Sequence, residues 1–303
     1  DIAVVEAGMG GRLDATNLLG RVLLSVITSI SRDHSEYLGN SLTEIAMEKF
    51  AVIRKNNKAL FWGQEPDLEK IFLRICKERN NEGVIFSRTW NVDNPSISMQ
   101  GCTFDLKGPG LYLQDLRTAM VGHFQMHNSS MAIASFWMLR DDMPFFMESS
   151  VRKALEITFW PGRFEVLQQD RLFILDGAHN PAGIQNLVTT LGDVLNDEQK
   201  KGLAVVFTSM KDKDFLESLR ILKTLEPALY CCSLPDNSRC ASPETLQQAA
   251  HALDWPVLPI HIFHDPLDAI NQARKSSSAL VVCGSLYLAG YVKARLADFK
   301  DLA

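Results

Sequence analysis

The sequence predicts an α/β protein of two domains, the first of which includes a small antiparallel subdomain. Three observations support this fold class. Short apolar runs alternate with amphipathic stretches, turn signals cluster in one part of the first half, and the 303 residues are 46% hydrophobic, enough for two ordinary cores. The best candidate for a hinge is Phe159–Arg163, between a predicted helix and the next strand. We therefore predict domains at residues 1–160 and 161–303.

The second half alternates most regularly. Its strands are predicted at Leu172–Leu175, Leu203–Phe207, Leu229–Leu234, Val257–Phe263 and Ala279–Cys283, each followed by a helix-like stretch. Ser242-Pro243-Glu244 combines a capping residue, a first-turn proline and an acidic residue, the usual order at a helix start. This alternation predicts a parallel sheet with helices on both faces.

The first half is less uniform. Strands are predicted at Ile2–Val5, Leu23–Ile30 and Ala59–Trp62, and helices after the capping box Ser41–Glu44, at Asp67–Arg79 and at Met126–Leu139. Between Val84 and Val121 the pattern changes to short segments interrupted at Asp93–Pro95 and Lys107–Gly110. These interruptions predict the antiparallel subdomain.

Composition and charge argue against several classes of protein. The net charge is −5, and no Lys/Arg cluster is interleaved with aromatic residues, so a nucleic-acid partner is not expected. No apolar run approaches the roughly 20 residues of a membrane helix, so we expect a soluble protein without a membrane partner. The six cysteines show neither a C-x-x-C pair nor zinc-ligand spacing, which suits the reducing cytoplasm.

The N-terminus runs directly into an apolar stretch. The chain starts at Asp1 and continues as Ile2–Val5, which has the composition of a core strand. Because domains rarely begin inside a core strand, we expect a segment upstream of Asp1 in the natural protein.

Polar side chains follow two of the predicted strands in the first half. Glu6 and a glycine-rich turn that extends to Asn17 follow Ile2–Val5, and Asp33-His34 follows the next strand. Ligands bind at the carboxyl ends of strands in open α/β sheets. The glycine spacing matches neither common nucleotide-binding pattern, so an ordinary turn explains it equally well, and an Asp-His pair is often structural.

The second half contains a denser polar cluster. Asp176, His179 and Asn180 directly follow strand Leu172–Leu175 and open a helix. An acceptor, a switchable donor and an amide within one strand-to-helix turn favour a functional site. Lys49, on the capped helix of the first half, is by itself interpreted as a solvated surface charge.

Several motifs occur in a fixed order along the chain. Glu6–Asn17 has the pattern E-x-G-x-G-G-R-x-D-x-T-N, Asp33–Gly39 has D-H-x-x-x-L-G, and Ile45–Lys49 has I-A-x-E-K. The blocks that follow are Pro161–Glu165, Asp176–Pro181, Asp212–Asp214 and Gly284–Gly290. Together they resemble the folylpolyglutamate and dihydrofolate synthases of the Mur ligase superfamily, and the resemblance covers nearly the whole chain.

The resemblance implies a fold and a metal site. It implies a truncated ATPase domain of the Mur ligase type, followed by a Rossmann-like ligase domain. Glu6 and His34 would hold Mg²⁺ on the phosphates of ATP. Lys49 would be a carbamylated lysine and a further metal ligand, which is reasonable because a desolvated lysine can lose its proton and react with carbon dioxide.

The resemblance also implies the remaining site residues. Arg163 would face the γ-phosphate of ATP, and Asn128 would lie near the nucleotide base. Asp176, counted with the nucleotide-binding residues as well, and His179 would be catalytic residues that line the cleft.

The reaction implied is a two-step ligation. The γ-carboxylate of folate, or the carboxylate of dihydropteroate, is activated as an acyl phosphate, and the amine of L-glutamate then attacks it. We expect a monomer. The family's G-x-x-G-K-[GS]-S phosphate loop has no counterpart within these 303 residues, so the chain alone is expected to be inactive. After Lys49 it has Phe50–Ile53 where the family usually has Ala-Gly-Ile.

Two alternatives stay open. The first is another Mur-type ligase, acting on a peptidoglycan precursor, which would share the cleft. The sequences G-G-R-L-D-A-T-N and D-G-A-H-N-P nevertheless favour the folate branch. The other alternative is an inactive Rossmann-like binding fragment, because these residues contain no phosphate loop. A binding assay that compares dihydropteroate or tetrahydrofolate with a nucleotide-sugar precursor separates the two ligases. A phosphate loop encoded in frame upstream of Asp1 would argue against the inactive fragment.

Overall fold

Three β-sheets and eleven α-helices are present in the computed structural model, which describes residues 2–31, 38–39, 41–63, 65–143, 146–168 and 171–296. The chain divides into two units. The first comprises Asp1–Ser96, Thr103–Thr118 and Gln125–Ile157, and the second comprises Ile97–Cys102, Ala119–Phe124 and Thr158–Ala303. The fold class is α/β, as predicted, and the domain boundary at residue 160 stays a prediction.

A parallel three-stranded sheet forms the centre of the first unit. In spatial order its strands are β1 (Leu24–Ile27), β2 (Lys58–Phe61) and β3 (Glu82–Ile85). The helices that accompany it are α1 (Leu42–Phe50), α2 (Pro66–Glu78) and the short α3 (Phe86–Thr89). A single buried apolar cluster joins these strands to α1 and α2.

Helix α1 begins where the sequence predicts it. Ser41 Oγ accepts a hydrogen bond from the Glu44 N–H at 3.2 Å, and Glu44 Oε2 accepts one from the Ser41 N–H at 2.9 Å, which completes a capping box. At the other end the buried ring of Phe50 packs edge-on against Phe61, with 5.2 Å between centroids. These contacts fix the turn that carries Lys49.

The strand predicted at Ile2–Val5 is wrong. These residues have no strand conformation, and Val4 is 96% exposed. A strand needs a hydrogen-bonded neighbour, and no part of the chain that the structure describes pairs with this run. A short 3₁₀ helix, Ala15–Leu18, follows the glycine-rich turn.

The predicted antiparallel subdomain is a three-stranded sheet. Its strands, in spatial order, are β4 (Asn91–Ser98), β5 (Gly101–Gly108) and β6 (Leu111–Thr118). Connections of two residues permit only antiparallel pairing of neighbours. Gly110, in the predicted turn, has φ +69°.

The interruption predicted at Asp93–Pro95 lies inside β4 instead. Asn94 adopts φ +51°, and its Nδ2 donates to Asp105 Oδ2 at 2.8 Å. Because β4 is an edge strand, a proline without an N–H is tolerated there. Helices α4 (His123–Met138) and α5 (Glu148–Ile157) follow.

A six-stranded sheet forms the second unit. Its strands are β7 (Glu165–Gln168), β8 (Leu172–Leu175), β9 (Leu203–Phe207), β10 (Ala228–Cys232), β11 (His261–Phe263) and β12 (Ala279–Cys283). The spatial order is β11-β10-β9-β12-β8-β7, parallel except for β7. The predicted parallel sheet is therefore confirmed, with an antiparallel edge strand that was not expected.

Helices cover both faces of this sheet, as predicted. They are α6 (Pro181–Val194), α8 (Phe215–Lys223), α9 (Pro243–Ala252), α10 (Pro266–Arg274) and α11 (Leu286–Lys293), whereas the short α7 (Asp197–Lys201) buries none of its residues. Ser242 caps α9, and its Oγ accepts from the Thr245 N–H at 3.2 Å. Two separate apolar clusters, one on each face, bury the alternating residues of the strands.

The six cysteines are buried free thiols. Burial raises the pKa of Cys231 to about 12, so that thiol stays protonated and unreactive at neutral pH. Within the described ranges, no helix has the length and apolar character needed to cross a membrane.

Candidate active site

The glycine-rich turn of the first unit is organised around the carboxylate of Asp14. Asp14 Oδ2 accepts from the N–H groups of Gly8 at 2.8 Å and Met9 at 3.1 Å. Asp14 Oδ1 accepts from the N–H and the hydroxyl of Thr16 at 2.9 and 2.6 Å. The Thr16 hydroxyl and these N–H donors lower the pKa of Asp14 to about 2. The turn is therefore a closed ring and not an open loop.

This ring lies against the last turn of α1. A Cβ on Gly11 would approach Val52 Cγ1 to 2.6 Å and the backbone oxygen of Glu48 to 2.8 Å, so only glycine fits without a shift. Arg12 Nε donates to Glu48 Oε1 at 2.8 Å. The structure thus brings the Glu6–Asn17 motif and the helix of Lys49 together.

Two of the three predicted metal ligands can be located. Glu6 is exposed, just before the ring, and Lys49 is half-buried in the last turn of α1. His34 lies outside the described residues. Within those residues, no group of three or more His, Cys, Asp or Glu side chains forms a ready-made metal site. The assignment of these ligands stays a prediction.

Asn128, the predicted neighbour of the nucleotide base, is half-buried on α4. Its Nδ2 donates to Gln125 Oε1 at 3.1 Å. The adjacent His127 ring lies 4.4 Å from the ring of Trp62, which follows β2 directly. Trp62 lies at the carboxyl end of a parallel strand, the end at which open α/β sheets bind ligands, and the role of Asn128 stays a prediction.

In the second unit, Asp176 follows β8 and holds two backbone groups. Its Oδ2 accepts from the Phe164 N–H and its Oδ1 from the Ala178 N–H, each at 2.7 Å. Burial raises the pKa of Asp176, while these N–H groups and the charges of Arg163 and His179 oppose the rise. A carboxyl group that retains its proton more readily at a strand end is a feature of functional sites.

His179 belongs to the same turn. Its Nδ1 lies 3.0 Å from the carbonyl oxygen of Gly177, which can only accept, so Nδ1 is the protonated nitrogen in this contact. Asn180 caps α6, with Oδ1 accepting from the Gly183 N–H at 2.8 Å. Of the three polar residues in this turn, Asn180 therefore has a structural role.

Arg163 lies in a loop that packs on the Asp176 turn. The Gly177 N–H donates to the Gly162 oxygen at 2.7 Å, and Phe164, although not glycine, has φ +46°. Arg163, between Gly162 and Phe164 in the chain, is half-buried. The structure therefore brings Arg163, Asp176 and His179 into one loop cluster.

Two further strand ends meet this cluster. The Gly284 N–H donates to the Ala178 oxygen at 2.8 Å, and Gly284 abuts the Thr208 backbone after β9.

In the Asp212–Asp214 block, Arg239 donates to both carboxylate oxygens of Asp212 at 3.2 and 3.3 Å. Partial burial opposes ionisation of Asp212, but the hydrogen bonds that Asp212 accepts and the charges of Arg239 and Lys213 together outweigh burial, and the pKa of Asp212 is lowered.

Comparison with known proteins agrees with this arrangement. Residues 1–136 match the Mur ligase middle domain, and residues 162–286 match the Mur ligase glutamate ligase domain. The chain belongs to the Mur ligase family. The predicted family and fold class are thereby confirmed.

The similar proteins point to one branch of that family. A dihydrofolate synthase/folylpolyglutamate synthase of Bacillus subtilis is 28% identical over 302 residues, 98% of this chain and 67% of its own. A folylpolyglutamate synthase of Lacticaseibacillus casei is 28% identical over 99% of this chain and 68% of its own. A Mycobacterium tuberculosis folylpolyglutamate synthase, solved with ADP and AMPPCP, superposes with a TM-score of 0.86 at 28% identity. The superposition covers 98% of this chain and 68% of the other chain. The chain spans about two thirds of the length of these relatives, and the predicted ligase class is confirmed at the level of the family.

Proposed function

We propose that the protein carrying these residues joins L-glutamate to folate with ATP, through an acyl phosphate. The observation that supports this most directly is the contact of the Asp14-centred ring with the last turn of α1, in a chain whose relatives are folylpolyglutamate and dihydrofolate synthases. A rigid ring against the helix of Lys49 gives the positional precision that phosphoryl transfer needs. The carboxylate of the folate attacks the γ-phosphorus and ADP leaves. The glutamate amine then attacks the acyl carbon and phosphate leaves.

The exposed carboxylate of Glu6 is compatible with magnesium binding. Mg²⁺ keeps several waters and is usually bound by one or two protein carboxylates plus substrate phosphates. Glu6 is an exposed carboxylate before the ring, so it is accessible to such an ion. We assign Glu6, with His34 and Lys49, to hold Mg²⁺, which would neutralise charge on the phosphates when bound.

Lys49 is proposed to carry a carbamate. Its amine would attack carbon dioxide, lose a proton and become a carboxylate-like ligand. An anion at a helix C-terminus is opposed by the helix dipole, whereas the ordinary lysine cation is favoured there. A carbamate at Lys49 therefore requires a nearby cation, which links this modification to the magnesium assignment.

The second unit supplies the other proposed groups. Arg163 would stabilise the γ-phosphate as charge shifts during transfer, because a guanidinium binds phosphate oxygens in a fixed fork. Asp176 and His179 would line the cleft beside it. Asn128 of the first unit would contact the nucleotide base.

The test uses the product of the complete coding sequence. ADP release and glutamate incorporation are measured with ATP, Mg²⁺ and L-glutamate, and with tetrahydrofolate, dihydropteroate or a nucleotide-sugar peptidoglycan precursor as acceptor. We expect turnover with a pteridine acceptor. Turnover with the nucleotide-sugar precursor alone would assign the protein to another Mur ligase branch.

The metal assignment has its own variant. Glu6→Ala should raise the Mg²⁺ concentration needed for half-maximal activity or stop turnover. Glu78→Ala, which removes an exposed carboxylate from the end of α2, is the matched control and should leave the Mg²⁺ dependence unchanged. A normal Mg²⁺ dependence in both variants would exclude Glu6 as a ligand.

A further inference from the structure

Glu165 is an unusual residue for the start of an edge strand. It opens β7 opposite Leu175, yet its side chain is only 8% exposed. A buried carboxylate is costly unless it is paired and hydrogen-bonded. Glu165 meets both conditions: Oε2 accepts from the Gly162 N–H at 2.8 Å, and Oε1 forms an ion pair with Lys293 Nζ from the last turn of α11.

The group that Glu165 holds is the backbone immediately before Arg163. Gly162 has φ +67°, and its Cα lies so close to α11 that a Cβ would approach Ala289 Cβ to 3.3 Å. With the Gly177 and Phe164 hydrogen bonds described above, the backbone on both sides of Arg163 is anchored.

Strain in this loop points in the same direction. Phe164 is buried and adopts φ +46°, a left-handed conformation that non-glycine residues rarely adopt. Such conformations persist only where the surrounding structure over-determines them, and they cluster at functional sites. The anchors on either side of Arg163 provide that constraint.

We propose that Glu165, itself held by Lys293, is a positioning residue that fixes the loop backbone and so aims Arg163 in the ligation reaction. The inference rests on the proposed function, because it takes Arg163 as the residue that meets the phosphate. Lys293 also lies over the ring of Phe159, with Nζ 5.1 Å from the centroid, which ties the start of the loop to the same ammonium group.

A hydrogen-exchange experiment on the 303-residue chain tests the anchor itself. Glu165→Gln leaves one amide oxygen but turns an NH₂ group toward either Gly162 N–H or Lys293, so one contact is lost. We expect the Gly162 amide to exchange about ten-fold faster in this variant. Adding Lys293→Met removes the conflict with the ammonium group and should restore part of the protection. Unchanged exchange in Glu165→Gln would refute the anchor.

A kinetic cycle on the product of the complete coding sequence tests the link to Arg163. Glu165→Gln should lower kcat about 10- to 100-fold, the size of effect that a displaced reacting group produces. In an Arg163→Ala background the same change should lower kcat no further, because the residue through which it acts is gone. Equal effects in both backgrounds would overturn the inference.

The control is a second buried carboxylate with a cationic partner. Glu69 is 7% exposed and pairs with Arg88 in the first unit, so Glu69→Gln should reduce Tm while its effect on kcat stays independent of Arg163. If Arg163→Ala is impaired but Glu165→Gln has normal kcat, only the positioning role fails. If Arg163→Ala has full activity, the role of Arg163 in the proposed function fails, and this inference with it.

Discussion

Replacing Gly284 with alanine probes the packing of the strand-end loops in the second unit. Gly284 directly follows β12 with φ +104°, a conformation that only glycine adopts readily. A Cβ at this position would lie 1.9 Å from the Thr208 carbonyl oxygen and 2.8 Å from the ring of Phe207. Both obstacles belong to the neighbouring strand β9 and its end, so neither can move without disturbing the sheet.

The expected cost has two parts. A left-handed backbone costs a non-glycine residue about 1 to 2 kcal/mol, and overpacking of a close-packed site costs about 1 to 3 kcal/mol. Their sum, about 2 to 5 kcal/mol, is a large share of the stability of about 5 to 15 kcal/mol of an ordinary domain. For a unit of this size it corresponds to a Tm lowered by about 5 to 15 °C.

Thermal unfolding of the 303-residue chain, followed by circular dichroism, measures this shift. The matched control is Gly290→Ala in α11, where nothing lies within 4 Å of the added Cβ. Alanine in a helix interior should stabilise by about 0.5 to 1 kcal/mol, so the two variants should shift Tm in opposite directions. A Gly284→Ala variant with a Tm within about 1 °C of the unsubstituted chain would refute the packing argument.

Three further outcomes are expected. Lys49→Ala should abolish ligation by the product of the complete coding sequence, with partial recovery on adding short carboxylic acids; unchanged turnover would exclude the carbamate. Asp14→Asn should destabilise the chain near pH 5. The difference in unfolding free energy from the unsubstituted chain should vanish as pH falls from about 3.8 through about 2, because the depressed pKa of Asp14 contributes stability only above that window. Urea unfolding at pH 5 and at about pH 2 measures this difference. His179→Ala should lower kcat with little change in Tm, because a half-buried loop residue contributes little to the core; the reverse pattern would indicate a structural role.

Local signals predicted local structure well. The capping box at Ser41 and the proline start at Ser242 placed α1 and α9 correctly because cap and helix lie within one turn of each other. Strands β8, β9 and β12 have the predicted bounds, since continuous apolar runs match strands buried on both faces. The run predicted at Val257–Phe263 is a strand only from His261, after Pro259, which has no N–H to donate to a ladder.

Long-range contacts could not be predicted in this way. Glu165 and Lys293 are 128 residues apart and Arg239 and Asp212 are 27 apart, so no window of sequence contains both partners. The hydrogen-bonded ring around Asp14 lies within one motif. The spacing of the glycines in that motif nevertheless does not predict which carboxylate accepts the backbone hydrogen bonds. The only sequence signal for Glu165 is its place in the Pro161–Glu165 block.

The wrong prediction at Ile2–Val5 changes how Glu6 is positioned. An apolar pattern predicts burial only if another surface is present to cover it, and Val4 is 96% exposed in this structure. Glu6 is therefore not held by a strand ladder within the described residues. The nearest fixed points along the chain are Gly8, bound to Asp14, and Gly11, seated on the last turn of α1. Because that turn also carries Lys49, a displacement of Gly11 would move the two proposed metal ligands, Glu6 and Lys49, relative to each other, and the geometry of the proposed metal site therefore depends on the ring around Asp14.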